Sequence, residues 1–175
     1  MPKVILYIAV SLDGFIATPD GGIDWLLPYQ DSPEDYGFKE FDASVGALIM
    51  GANSYRKELS FGRWSHHGKK CCVLSSRPLP VPQDAAVEFY SGDLKVLVER
   101  IKRESENNIW LVGGGRVVTQ FINEGLLEEM MLFYIPVFLS RGIPLFAAVT
   151  SAPSLTLVNS KAYPSGVVRL HYSLI

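Results

Sequence analysis

Cysteine is nearly absent: Cys71 and Cys72 are the two thiols in 175 residues, and they are neighbours. Adjacent residues on a strand point to opposite faces, so the pair cannot readily bridge. With no spaced partner they make no metal site either. They read as small buried residues of a strand in a reducing compartment. A dominant charge is also lacking, since 16 Lys+Arg face 18 Asp+Glu for a formal net charge of −2. That excludes a broadly basic nucleic-acid binder, while a local cationic pocket stays allowed. A charged fraction of 19% beside 11% aromatics excludes a disordered acidic chain. No apolar run is long. The first, residues 4–10, follows a single Lys3 and is far short of the roughly 20 residues a membrane helix needs. No cleavage region follows it. Histidine is scarce as well. His66 and His67 have no acid or cysteine at metal spacing and read as part of a solvated loop; no metal set is expected. Repeats, linkers and low-complexity stretches are missing, and Pro and Gly are spread throughout. The expectation is a single domain over residues 1–175, cytoplasmic, with neither nucleic acid nor membrane as partner.

What is present is alternation. Short apolar strands are expected at residues 3–10, 47–50, 70–75, 87–90, 109–112 and 129–137. Residues 93–104 form the clearest helix, with Leu94, Leu97, Val98 and Ile101 at i, i+3, i+4 and i+7. Residues 116–124 read as a second helix, burying Val117, Phe121 and Ile122 and stopped by Gly125. Ser32-Pro33-Glu34-Asp35 is a helix-start signal, placing Phe38, Phe41 and Val45 along one face. Residues 155–162 and 167–174 are late strands around a turn at 163–166. This pattern predicts an α/β fold of three layers. A mixed, mostly parallel sheet of about eight strands is flanked by about four helices and ends in an antiparallel hairpin.

Three strand ends carry groups that chemistry can use. Val112 leads into Gly113, Gly114 and Gly115 and then a helix, where bare backbone and a helix dipole suit a phosphate. The run lacks both the G-x-G-x-x-G spacing and the Walker Lys, and it serves equally as a tight turn without a ligand. Gly51 precedes Asn53 and Ser54, either of which can cap a short helix. Leu74-Ser75-Ser76-Arg77 ends another strand with hydroxyls and a guanidinium fork. Strand ends of a parallel sheet share one edge. Together the three suit a dinucleotide with a pyrophosphate and a 2′-phosphate, which is NADPH rather than NADH.

The segment Val112-Gly-Gly-Gly-Arg-Val-Val-Thr-Gln-Phe121 closely resembles the cofactor motif of dihydrofolate reductases. Ile49-Met-Gly51 and Leu74-Ser-Ser76 match that family's other cofactor segments in order. Ser11-Leu-Asp-Gly-Phe-Ile-Ala17 and the stretch from Pro136 to Phe146 resemble the RibD C-terminal domain, the reductase domain of bacterial riboflavin biosynthesis. The resemblance implies that Gly113 and Gly114 meet the cofactor across a cis peptide. It puts Arg116, Val117 and Gln120 beside the pyrophosphate and Ser75, Ser76 and Arg77 at the 2′-phosphate. By the same resemblance, Ala17 and its neighbours look like the mobile loop over the nicotinamide, and Trp25 matches a family tryptophan near the end of that loop. Ala52, Asn53 and Ser54 depart from the family's usual Arg, Lys or His, and Thr. The 2′-phosphate partner lost at position 52 would then have to come from Arg77 or Arg56.

The resemblance implies an NADPH-dependent reduction of a phosphorylated ribosylamino-pyrimidine, with Arg63, Lys69 and Lys70 as available phosphate partners. Asp35 falls near the place of the ring-holding carboxylate of dihydrofolate reductases, and is equally suited to capping a helix. Asp13 is the other acid near the active edge, and equally suited to holding its own loop turn. Tyr7, Phe38, Phe41 and Tyr55 are candidates for a ring pocket or for the core. Reduction of dihydrofolate or another pterin is an alternative, as is a catalytically silent NADPH-binding protein. The resemblance also implies a homodimer, through residues 131–139 or a late edge strand, although a buried central strand explains the 131–139 stretch equally well.

Overall fold

The computed structural model describes residues 1–174. Its main sheet has eight strands. Six run parallel: β1 (Val4–Ser11), β3 (Val45–Gly51), β4 (Lys70–Leu74), β5 (Val87–Tyr90), β6 (Asn108–Gly113) and β7 (Glu129–Ile135). β9 (Leu155–Ala162) and β10 (Val168–Leu174) form the antiparallel hairpin, and the order is β5-β4-β3-β6-β1-β7-β10-β9. Two short strands, β2 (Phe15–Ala17) and β8 (Ile143–Pro144), pair separately. The sequence pattern missed them because three residues and two residues carry no measurable periodicity.

Five α-helices are present among the described residues, in line with the roughly four expected: α1 (Leu27–Gln30), α2 (Phe38–Ala43), α3 (Ala52–Ser60), α4 (Leu94–Glu104) and α5 (Gly115–Asn123). A 3-10 turn over Asp24–Leu26 leads into α1. The faces separate cleanly. Phe41 of α2 and Tyr55 of α3 pack with Ile5, Leu48 and Met50. Leu97 and Ile101 of α4 and Phe121 of α5 pack with Leu6 and Ile49 on the other side. Cys71 and Cys72 fall on opposite faces, both free, as strand alternation requires. Burial pushes both thiols up to about 12.

The helix expected from Ser32 does not begin there. Tyr36 and Gly37 are left-handed, at φ +55 and +82, which no α-helix can run through. Ser32 Oγ instead accepts from the Glu34 N–H in a local turn, and α2 starts at Phe38. Val45 consequently opens β3 instead of lying on the helix. His66 is also not solvated. It is 7% exposed, packed edge-on to Trp64 and Trp110, whereas His67 is exposed. The indole faces offer burial that a loop reading of Ser-His-His-Gly could not foresee. Of the stretch 131–139, the residues up to Ile135 belong to β7, inside the sheet between β1 and β10, whereas Phe138 beyond it is exposed. The outer strand on that side is β9, exposed along all eight residues.

Candidate functional site

Register alone assembles the three strand ends. Gly51 is the partner of Leu74, and Met50 is the partner of Gly113. From there the chain leaves adjacent strands toward opposite faces, α3 to one and α5 to the other. Such a switch point is where open α/β sheets leave a crevice for ligands.

The turns themselves are open. α3 begins after Gly51 and α5 after Gly114, and neither start has a side-chain cap, so their first N–H groups have no side-chain acceptor. Asn53 and Ser54 do not cap α3: both lie inside its first turn, and Asn53 Oδ1 accepts from Arg56 Nη1 at 2.9 Å. The two turns touch. A Cβ on Gly114 would stand 3.2 Å from Ser54 Oγ, and one on Gly51 would stand 3.0 Å from Val117 Cγ2. Gly113 and Gly114 sit at φ +135 and +99, which only glycine adopts freely. Their peptide is not the cis bond the resemblance implied, for no cis peptide occurs among the described residues. The two positive φ angles turn the chain instead. Gly115 has another reason to be glycine: a Cβ there would lie 2.1 Å from the Pro144 carbonyl oxygen. Ala17 pairs with Ile143, so its loop is tied through the same segment to the start of α5.

Ser75 and Arg77 form a compact turn. Ser75 Oγ donates to the Arg77 carbonyl (2.7 Å) and accepts from its N–H (3.3 Å). Ser76 and Arg77 are exposed, as is Arg116. Neither guanidinium has an acidic partner among the described residues. Val112 and Val117 are half-buried, and Gln120 donates to Glu124 Oε1 at 2.9 Å. Two open helix starts, unpaired cations and a glycine cradle fit a dianionic pyrophosphate with a further phosphate.

A cavity of about 410 Å³ lies one strand away. Tyr7 and Ala9 of β1 and Phe133 and Ile135 of β7 form its floor. Leu26, Tyr29 and Phe38 wall it, and Glu34, Asp35 and Tyr36 line it from the loop before α2. The residue between Tyr7 and Ala9, Ile8, points the other way and meets Gly113, so β1 is common to both features. Tyr7 stacks on Phe41 with centroids 4.5 Å apart. Its hydroxyl and that of Tyr163 both donate to the Tyr36 carbonyl, at 3.3 and 3.2 Å. Burial pushes the Tyr7 phenol up, so it stays protonated. Trp25 packs in the same cluster as the floor residues Phe133 and Ile135 and the wall residues Leu26 and Tyr29, with its indole N–H buried and unpartnered.

The acids are placed as follows. Asp35 is exposed and accepts from the N–H groups of Gly37 (3.0 Å) and Lys39 (3.4 Å). These bonds, the Gly37 one foremost, hold its carboxyl below the usual range. Asp13 accepts from Ser11 Oγ (2.6 Å) and from the N–H groups of Leu139 (3.1 Å) and Ser140 (2.7 Å). It staples the β1–β2 turn to the segment after β7, and the Ser11 bond leads in lowering its pKa. Tyr55 and Phe41 belong to the core. Lys69 is bound to the Asp42 carbonyl at 2.6 Å and Lys70 to Glu104 at 2.7 Å, so neither is free for a substrate phosphate. Glu34, Tyr36 and Phe133 carry no sequence signal for this place: only the left-handed turn at Tyr36 and the pairing of β7 beside β1 bring them to the cavity, with Tyr163 holding the Tyr36 carbonyl.

The family model for the RibD C-terminal domain matches residues 2–169. The chain belongs to the RibD C-terminal domain family. The Bacillus subtilis (strain 168) protein YwjB, itself uncharacterized, is 36% identical over 171 residues, 97% of either chain. A candidate riboflavin biosynthesis protein of Shewanella sp. PV-4 superposes with a TM-score of 0.88 at 30% identity over 99% of both chains. The deaminase/5-amino-6-(5-phosphoribosylamino)uracil reductase of Thermotoga maritima shares the fold, with a TM-score of 0.74 at 16% identity. This RibD C-terminal domain covers 57% of that longer chain. No helix among the described residues is long and apolar enough to cross a membrane. No grouping of three His, Cys, Asp or Glu among them could hold a metal ion.

Proposed function

We propose that this RibD C-terminal domain is an NADPH-dependent reductase of a small planar ring, of the pyrimidine class that the family suggests. One observation carries the reading. The β3–β4–β6 register sets Gly51, Leu74 and Gly113 side by side where two uncapped helices diverge. NADPH, when bound, supplies the hydride. The first N–H groups of α3 and α5 hold the pyrophosphate, with Gly51, Gly113 and Gly114 allowing close approach and Asn53, Ser54, Val117 and Gln120 around it. Arg116 adds charge there. Ser75, Ser76 and Arg77 receive the 2′-phosphate, taking over from the arginine that Ala52 replaces. Ala17 and its loop cover the reacting ring, and Gly115 fixes the segment on which that loop rests. Phe38 and the Trp25 cluster shape the substrate side, and orientation across β1 does the rest.

The test is direct. NADPH should quench tryptophan fluorescence of the whole chain and be oxidised on a panel of pyrimidines, pterins and small carbonyls. No binding of NADPH would end the reading. Binding without oxidation on any panel member would leave the catalytically silent alternative. Pterin reduction is the second reading, favoured by the ionised Asp35 at the cavity. Asp35→Asn should cripple turnover on that reading, and full turnover would remove Asp35 from any catalytic role. Two free buried thiols fit a cytoplasmic setting. The homodimer expected of the family is assigned to the outer edge of β9, where Leu155, Leu157 and Val158 are exposed. Light scattering of a Val158→Lys variant tests that assignment.

A further inference from the structure

A hydride delivered to carbon leaves a proton still to be supplied, and few groups around the cavity can give one. On the reductase reading above, we infer that Tyr7 is the proton donor of the reduction, and that Arg169 positions its phenol and steadies the charge left behind.

The other polar lining groups are engaged or unsuited. Gln30 offers an amide, which is no acid. Glu34 accepts from the Tyr36 N–H, and Asp35 from the N–H groups of Gly37 and Lys39. The Gly37 bond foremost keeps Asp35 ionised at neutral pH. The Tyr36 hydroxyl is given to Ser165 Oγ at 3.1 Å. Tyr29 stands on α1 rather than on the sheet. Tyr7 is the lining phenol on β1, where the next residue, Ile8, meets Gly113 at the cofactor edge.

The Tyr7 proton is also free to be redirected. Its hydroxyl donates to the Tyr36 carbonyl at 3.3 Å, a long bond. Tyr163 holds the same carbonyl at 3.2 Å, so that oxygen is not orphaned when Tyr7 turns to a substrate. Tyr36 itself lines the cavity, which puts this contact at its wall.

Cations stand around the phenol. Arg169 of β10 is the register partner of Phe133 on the cavity floor, so it shares that face of the sheet. Its Nη1 would lie 3.6 Å from a Cβ on Gly37, and its Nη2 donates to Asn159 Oδ1 at 3.0 Å. Its Nε is buried with no acceptor, and no carboxylate pairs with it among the described residues. Burial pushes the Tyr7 phenol up, with Tyr163 and Asp35 on the same side, and the Arg169 charge pulls it back. Lys161 lies over the Tyr163 ring, 4.6 Å from its centroid, and both Lys161 and Lys39 act on Asp35. The two acids of the rim are thus offset by three cations. A phenolate formed at Tyr7 is left near a guanidinium whose Nε still lacks an acceptor.

As hydride reaches the carbon of a C=N or C=O group, the π pair moves onto nitrogen or oxygen. The Tyr7 O–H bond breaks as the new N–H or O–H forms. The substrate gains the two electrons that the cofactor gives up. Water at the mouth, where Asp35 is exposed, returns a proton to the phenolate.

NADPH binding to the whole chain is measured first, by tryptophan quenching. Turnover and KM follow on whichever pyrimidine, pterin or small carbonyl of the panel the wild type reduces fastest, and quenching reads the binding of that compound without NADPH. Tyr7→Phe should keep both affinities and KM within about threefold and lower kcat about 100-fold. Tyr163→Phe removes the other clasp on the Tyr36 carbonyl and should lower kcat by less than about tenfold. Arg169→Met should lower kcat about tenfold, and Arg169→Lys should recover most of that loss. The Arg169 pair decides the matter where Tyr7→Phe does not fold. If NADPH fails to bind, or no panel member is reduced, the reductase reading falls and this inference with it. If turnover occurs and Tyr7→Phe keeps its kcat, changes KM alone, or loses no more than Tyr163→Phe, the reading survives and the inference is overturned. A full kcat in Arg169→Met, or no recovery in Arg169→Lys, overturns the part given to Arg169.

Discussion

Three helices leave the carboxyl ends of parallel strands in this fold, and they begin in two different ways. α4 starts on Asp93, whose carboxylate accepts from the N–H groups of Lys95 (2.8 Å) and Val96 (3.1 Å). α3 and α5 start on Gly51 and Gly114 with no side-chain cap. A capped start satisfies its orphan donors within the chain. An uncapped one leaves them to solvent or to an anion. The same architecture thus separates a helix that serves stability from two that are available for binding. They are the two that touch each other across the β3/β6 switch point.

Substitutions can break this contrast in order of effect. Gly115→Ala should cost most. Its Cβ would lie 2.1 Å from the backbone oxygen of Pro144, and the 143–145 segment cannot yield cheaply. A loss of about 3 kcal/mol is expected from denaturant titration. Gly114→Ala should cost about 2 kcal/mol through its φ of +99, and weaken NADPH far beyond what lost stability explains. Retention of NADPH affinity there would dissolve the distinction between the two kinds of helix start. Arg77→Ala and Arg116→Ala should each weaken NADPH about tenfold. For Arg77 the NADPH-over-NADH preference should collapse as well, while the melting temperature stays put.

Asp93→Ala supplies the opposite signature. It should cost about 1 kcal/mol in stability and leave NADPH affinity unchanged. The smallest expected effect is on acid stability, and it belongs to the same capped helix. Arg100 and Lys70 tie α4 to β4 and β5 through Glu88 and Glu104. The Arg100 hydrogen bond holds Glu88 low, and the Lys70 one holds Glu104 low. A carboxyl depressed on folding contributes above its unfolded pKa and loses that contribution as pH falls through its folded one. Melting temperature should therefore hold from pH 7 to about 5 and decline below about 4. Glu88→Gln should flatten the decline slightly, and an unchanged profile would mean the cluster is too exposed to matter.

Much of this was legible in the chain. α4 could be read from four apolar positions and an aspartate, because amphipathic period and cap are local properties. The strand ends could be found because a short apolar run stopping at glycine or serine is local too. The aromatic cavity is only half visible in the sequence: Tyr7, Phe38 and Asp35 stand out there, while Glu34, Tyr36 and Phe133 do not. Tyr36 gives no local signal for φ +55, since the phenols that stabilise it come from Tyr7 and Tyr163. His66 was misread for the same reason, its partners Trp64 and Trp110 being joined only on folding.

The sequence by itself determined the alternation of strands and helices, the opposite facing of Cys71 and Cys72, and the three strand ends carrying glycine, serine and arginine. Each is set by period, cap or turn chemistry within a few residues. Only the tertiary structure decided that Gly51, Leu74 and Gly113 are neighbours, that Gly115 serves packing, and that acids rim the aromatic cavity. Those facts depend on strand order and on contacts between residues far apart in the chain, which no local pattern encodes.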